Sequence, residues 1–118
     1  MLATVLIVVT LGHADAPHLA VTPADDAAAC AAKAGAVTAV LDKAGFAVAA
    51  ARCVQTDQRF SAYRHGPDAP APVHPFRVTL PARGGATVEA LARLSDCDAA
   101  PDADPAVFCA VSAQTLID

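Results

Sequence analysis

Large aromatic and aliphatic side chains are scarce in this sequence. Its 118 residues include no Trp, one Tyr, four Phe and one Met, although such side chains usually dominate the energetics of a core. The hydrophobic fraction is 55 %, and about half of it is alanine, whose burial contributes little transfer free energy compared with leucine or isoleucine. We therefore expect one small domain with a thin core that benefits from covalent crosslinks.

Positive charge and metal-ligand spacings are also in short supply. Eight Lys and Arg residues stand against 12 acidic ones, for a net charge of −4, so a nucleic-acid partner is not expected. The four cysteines are 23, 44 and 12 positions apart, without a C-x-x-C or H-x-x-x-H pair. Zinc ligands usually come in such close pairs, so we expect no metal site and no cofactor.

The even number of cysteines predicts two disulfides and an oxidising compartment. A helix from Cys30 to Gly45 rises about 22 Å, and a strand from Gly45 back to Cys53 spans about 26 Å. The two sulfurs then lie at nearly the same height, which favours a Cys30–Cys53 bond and, by elimination, a Cys97–Cys109 bond. Four cysteines allow three pairings, so the other two stay open at this point. We expect a periplasmic or secreted protein.

Residues 2–11 form an uncharged apolar run that has two interpretations. Its length is that of a secretory signal, and we predict a signal peptide over residues 1–14, cleaved after Ala14 or Ala16. Residues 15–118 would then be a single exported α+β domain. No Lys or Arg precedes the run, however, and its β-branched residues equally suit a core strand of an intracellular domain. The run is too short for a transmembrane helix, so the mature chain should have no stable membrane span.

The remaining pattern predicts one long helix on a sheet. Thr22 can cap a helix that has Pro23 in its first turn and ends at Gly45. Residues 88–94 suit either a short helix, which we favour, or the returning arm of a hairpin. Strands are expected at residues 18–21, 46–55, 74–80 and 106–113. This order predicts an α+β sandwich, ferredoxin-like or related, with an antiparallel or mixed sheet.

No motif specifies a reaction, and we assign no catalytic residue. The segment over residues 60–76 contains the single Tyr and four prolines that stiffen it. Long ordered loops often carry function, so our candidate contact residues are Tyr63, Arg64, His65, His74 and Phe76. We predict a non-enzymatic binding, inhibitor or accessory-subunit module with a protein partner. The alternative is a small hydrolase or metal-dependent enzyme that uses His65 and His74.

Overall fold

A computed structural model of the chain describes residues 2–11, 16–64, 70–83 and 85–117. Within these ranges the chain forms one α-helix, eight strands and a short 3-10 turn at Leu94–Asp96. The helix and strands, in chain order, are β1 (Ala3–Leu11), β2 (His18–Ala24), α1 (Ala27–Lys43), β3 (Ala47–Thr56), β4 (Arg59–Phe60), β5 (His74–Leu80), β6 (Thr87–Ala90), β7 (Ala106–Ser112) and β8 (Leu116–Ile117).

Six strands form one mixed sheet in the order β3-β1-β2-β7-β5-β6, and β4 pairs with β8 in a separate ribbon. Neighbouring strands of the large sheet are antiparallel except β2 and β7, which are parallel and share the single pair His18 and Val111. The sheet therefore consists of two antiparallel halves joined by a short contact. The predicted α+β class, with one helix on a mixed sheet, is confirmed.

The main hydrophobic core lies between the two halves of the sheet. It contains Val5, Ile7 and Val9 of β1 together with Phe76 and Val78 of β5. Alternate residues of a strand point to the same face, so one face of the β3-β1-β2 half packs against one face of the β7-β5-β6 half. The sheet curls around this core as a partly closed barrel.

A glutamine two residues after the end of β3 bonds the edge strand β6 on the opposite side of the curled sheet. Gln58 Nε2 donates to the carbonyl oxygen of Val88 at 2.6 Å, and Gln58 Oε1 accepts from the Val88 amide at 3.1 Å. Nearby, the Arg52 guanidinium of β3 donates to the carbonyl oxygen of Pro81 at 2.6 Å. These bonds give part of β6 the donor and acceptor that an edge strand otherwise lacks.

A second glutamine supports the junction of the two halves in the same way. Gln114 is only 2 % exposed, and its Oε1 accepts from the Val21 amide at 2.8 Å. Its Nε2 donates to the carbonyl oxygens of Val21, at 2.8 Å, and of Ser61, at 2.7 Å. Because β7 ends at Ser112, the Gln114 amide occupies the place beside β2 that a longer β7 would fill.

Strand β1 is buried on both of its faces. Val5, Ile7 and Val9 face the barrel core, whereas Leu6 and Val8 pack with residues of α1. A strand covered on both sides has no polar face, which explains the unbroken apolar run in the sequence. It lies between β2 and β3 and pairs with both.

This placement bears on the predicted signal peptide over residues 1–14. In the structure the segment has the form of the alternative interpretation, a core strand. Cleavage after Ala14 or Ala16 stays a prediction, and it would remove the strand that joins β2 to β3. The apolar faces of both neighbours would then be exposed.

Helix α1 begins later than the sequence pattern predicts. Pro23 belongs to β2, and the N-cap is Asp26, whose Oδ1 accepts a hydrogen bond from the Ala29 amide at 2.7 Å. The predicted cap, Thr22, also lies in β2, so this part of the prediction is wrong. The end is as predicted: Gly45 follows the helix with φ of 89°, a conformation that favours glycine.

Both predicted disulfides are confirmed. Cys30 of α1 is bonded to Cys53 of β3, and Cys97 is bonded to Cys109 of β7. The residues of β3 do not alternate strictly between the two faces of the sheet: Val48 packs with Cys53 beside the helix, although the two lie five positions apart. The cause is an irregularity in the β1–β3 pairing between Val9 and Thr10, which shifts the faces by one residue.

The predicted helix at residues 88–94 is wrong. Thr87–Ala90 is β6, which forms a hairpin with β5, and a 3-10 turn follows at Leu94–Asp96. The alternative prediction for this segment, the returning arm of a hairpin, is therefore the one that the structure shows. The described residues lack the second helix that a ferredoxin-like order requires. Among the described residues, no helix is both long enough and apolar enough to cross a membrane.

Candidate functional site

An open groove lies between α1 and the sheet, on the face opposite the barrel core. Its floor consists of residues from β1 and β2 that alternate along each strand and so point to one face. They are three cross-strand pairs: Leu6 with Thr22, Val8 with Ala20, and Thr10 with His18. The floor is thus apolar in the middle and carries hydrogen-bonding side chains toward both ends.

The two walls of the groove come from α1 and from the segment before β5. On the helix side the wall residues recur at helical spacing, so they lie along one side of the helix. On the other side stand Tyr63 and Pro72. The helical residues are Lys33, Ala36, Val37, Val40 and Leu41. The groove has a volume of about 650 Å³, within the range of small-molecule sites in proteins.

The attachment of α1 explains why the groove opens on one side only. Cys30 is fully buried and bonded to Cys53, and the helix residues Ala34 and Leu41 pack in the same cluster with Val48 of β3. The helix is therefore drawn toward β3. Over β2 the helix side chains leave the space unfilled, and the groove remains.

The polar residues of the groove form two groups. At one end, Lys33 lies near Thr22, and its Nζ donates to the carbonyl oxygen of Pro23 at 2.6 Å. At the other end are Thr10, His18 and Tyr63. The rings of His18 and Tyr63 meet edge to face, with centroids 6.3 Å apart and planes at 70°. Lys33 is the only Lys, Arg, Asp or Glu among the described residues that line the groove.

Hydrogen bonds fix the chain just before Tyr63. The Ser61 amide donates to the carbonyl oxygen of Thr115 at 2.8 Å, and the Thr115 amide donates to Ser61 Oγ at 2.9 Å. Gln114 binds the Ser61 carbonyl oxygen from the other side. Ser61 is therefore a structural residue, and it places Tyr63 two positions later beside His18.

The structure separates the residues of the predicted contact loop. Tyr63 is half-buried and lines the groove, and Arg64 is exposed next to it. His74 begins β5 and pairs with Ser112 of β7. Phe76 is 2 % exposed in the barrel core, so its side chain packs the interior instead of presenting a surface. His65 lies outside the described residues, and a contact role for the segment stays a prediction.

The enzyme alternative gains no assembled site in the part of the chain that is described. No group of three or more His, Cys, Asp or Glu side chains there is arranged to hold a metal ion. The acidic residues after β6 have structural contacts. Asp104 accepts a hydrogen bond from the Ala82 amide at 2.9 Å, and Asp96 lies 3.8 Å from the Arg93 guanidinium.

A second, smaller cleft of about 470 Å³ lies beside the Cys97–Cys109 bond. It is lined by apolar residues that include Leu11, Pro17 and Phe108, with Asp102 as its charged member. Its walls combine residues of β1, β3 and β7 with loop residues and carry few hydrogen-bonding side chains. The groove beside α1 is therefore the better candidate.

Sequence reasoning missed most of this groove. It predicted only that the helix packs on a sheet; Val37 and Leu41 belong to the stripe of α1 that does so. It assigned no role to Lys33, Ala36 or Val40, which flank the stripe. Val40 is 65 % exposed. A β-branched residue beside the packed stripe is the sequence signal from which this unfilled apolar surface could have been predicted.

Comparison with known proteins gives no relative. No protein-family model matches the chain, and no curated protein or solved structure matches it. The class of the protein is therefore defined by its fold and its groove: a small, two-disulfide α+β domain with an apolar cleft between helix and sheet.

Proposed function

We propose that this chain is an exported, non-enzymatic binding module whose ligand occupies the groove between α1 and the sheet. The observation that carries the proposal is the groove itself: about 650 Å³, with an apolar middle and a few polar side chains at its ends. Small-molecule sites have this composition, because apolar walls supply the burial and the polar groups fix the orientation.

Export is supported by the two disulfides in a chain with few large side chains. Such bonds persist in oxidising compartments, and small exported domains depend on them to compensate for a thin core. The predicted contact with a protein partner is a different hypothesis from ligand binding in the groove. Of its residues, Tyr63 lines the groove, whereas Arg64 is exposed and does not. Replacing Arg64 by Ala should leave ligand binding in the groove unchanged.

The test of the proposal is binding of a neutral fluorescent probe, N-phenyl-1-naphthylamine, whose emission rises in apolar surroundings. We expect saturable binding to the native, oxidised protein. Ala36→Trp should abolish it, because Ala36 is an exposed residue that lines the groove, and an indole there would fill the space. Ala39→Trp is the matched control, since Ala39 is exposed on the same helix outside the groove.

Circular dichroism and the melting temperature of both variants check that the fold is retained. Absence of saturable binding to the native protein would refute the proposed function. Equal binding by the two tryptophan variants would also refute it, because the probe would then bind somewhere else. Loss of binding in Ala36→Trp alone is the result that the structure predicts.

A further inference from the structure

We infer that the ligand of the groove is an amphipathic organic anion, bound with its charged group beside Lys33 and Thr22 and its apolar part along the floor. This inference rests on the proposed function and adds the chemical class of the ligand. A carboxylate on a medium-length apolar chain is the simplest member of this class.

The charge of the lining favours an anion. The described lining contains one ammonium group and no carboxylate. A cationic ligand would meet Lys33 with like charge, whereas a neutral apolar molecule would gain nothing from it. An ammonium has three donors; one of them, on Lys33, is bonded to the Pro23 carbonyl oxygen. This bond holds the charge at the end of the groove without neutralising it.

The position of the charge at one end sets the orientation of the ligand. Lys33 and Leu41 both line the helix wall, and their separation of eight positions corresponds to a rise of about 12 Å. Along the floor, Leu6 to Thr10 covers about 13 Å. An extended apolar chain starting at Lys33 therefore passes over Val8 and ends near Thr10, at the other group of polar residues.

The start of the helix adds no acidic group to the groove. Lys33 lies in the second turn of α1. Asp25 and Asp26 stand before this helix, but neither lines the groove, and Asp26 is bonded to the Ala29 amide. The Thr22 hydroxyl, opposite Leu6 on the floor, can donate a further hydrogen bond to a bound carboxylate.

The experiment compares three competitors that share one apolar chain and differ in charge: octanoate, octan-1-ol and octyltrimethylammonium. Each displaces N-phenyl-1-naphthylamine from the native protein at about pH 8, where a carboxylic acid is ionised. We expect octanoate to displace the probe at a concentration about two- to five-fold lower than octyltrimethylammonium, the ratio that a solvent-accessible ion pair supplies. Added salt should reduce this preference, because it screens exposed charges.

Lys33→Met keeps the apolar stem and removes the charge, so it should abolish the preference for octanoate. Lys43→Met is the matched control: Lys43 is the other lysine of the chain, lies in the last turn of α1 and does not line the groove. Probe binding with equal displacement by all three competitors would overturn this inference and leave the proposed function intact. A preference unchanged in Lys33→Met would overturn it as well, while failure of the probe to bind would refute the proposed function.

Discussion

The buried amide of Gln114 offers the sharpest test of how the curled sheet is held together. Gln114→Met keeps the length of the side chain and removes its donor and acceptor. The amide and carbonyl groups of Val21, which is 3 % exposed, then lose their hydrogen bonds. Leaving a buried polar group unsatisfied costs about 1–3 kcal/mol. Two such groups predict a loss of about 4 kcal/mol in the free energy of unfolding.

Gln58→Met is the matched control, because Gln58 makes the same pair of hydrogen bonds to the backbone of Val88. Val88 is as buried as Val21, at 2 % exposed, so the two variants differ in the burial of the glutamine. Gln114 is 2 % exposed, whereas Gln58 is half-buried, so water can enter in place of the Gln58 amide and bind the Val88 backbone. The expected cost is the net value of exchanged hydrogen bonds, about 1 kcal/mol. In a domain of this size each kcal/mol lowers the melting temperature by about 4 °C, which separates the two variants by roughly 12 °C.

The assay is urea unfolding followed by circular dichroism, with both disulfides kept oxidised and the dependence on urea checked for a common slope. The reasoning is refuted if the two variants lose free energies of unfolding that agree within about 0.5 kcal/mol, since burial would then not distinguish the two amides. Gln114→Glu adds a pH test: its carboxyl can donate to the Val21 carbonyl oxygen only when protonated. Burial would raise the pKa of this carboxyl in the folded protein. The variant should therefore be most stable at a pH below the ordinary pKa of glutamate, and it should lose stability as the pH rises through the raised pKa.

Three further predictions concern the helix, the first strand and a disulfide. Asp26→Ala should lower the free energy of unfolding by about 1 kcal/mol in urea titrations through loss of the cap, whereas Thr22→Ala should leave the helix cap unaffected; equal cap loss in both would contradict the assignment. A chain that begins at Pro17, as left by cleavage after Ala16, should show no cooperative unfolding in circular dichroism, because β1 packs on both faces of the sheet; a stable truncated chain would support a cleaved signal peptide. Replacing Cys30 and Cys53 by Ala should cost about 3 kcal/mol in the same urea assay, as expected for a closed loop of 23 residues, and a loss below about 1 kcal/mol would show that packing alone holds α1.

Local patterns predicted the elements that depend on neighbouring residues. The strand at residues 74–80 agrees with β5 at both ends, because phenylalanine, valine and leucine alternate there with polar residues. The Cys30–Cys53 bond was predictable because both rises were set by a helix and a strand that meet at Gly45. The helix end at this glycine was readable for the same reason.

The failures involve information that the sequence carries only through distant contacts. Pro23 looked like a helix start, but pairing of β2 with β1 extends the strand past it to Ala24. Val88 suited both helix and strand, and its pairing with Val78 across the hairpin decides the matter. The groove could not be predicted from the sequence, because its sides come from β1, β2, α1 and the segment around Tyr63, which no local pattern brings together.

The bond from Cys30 to Cys53 also fixes one wall of the groove. It is the covalent link between α1 and the sheet in the described residues, and it lies near the first turns of the helix. Beyond it the helix is retained by small apolar contacts. In a reducing environment the two thiols would part and the helix could move away from β2. The width of the groove is thus set by an oxidised pair of cysteines that lies outside its lining.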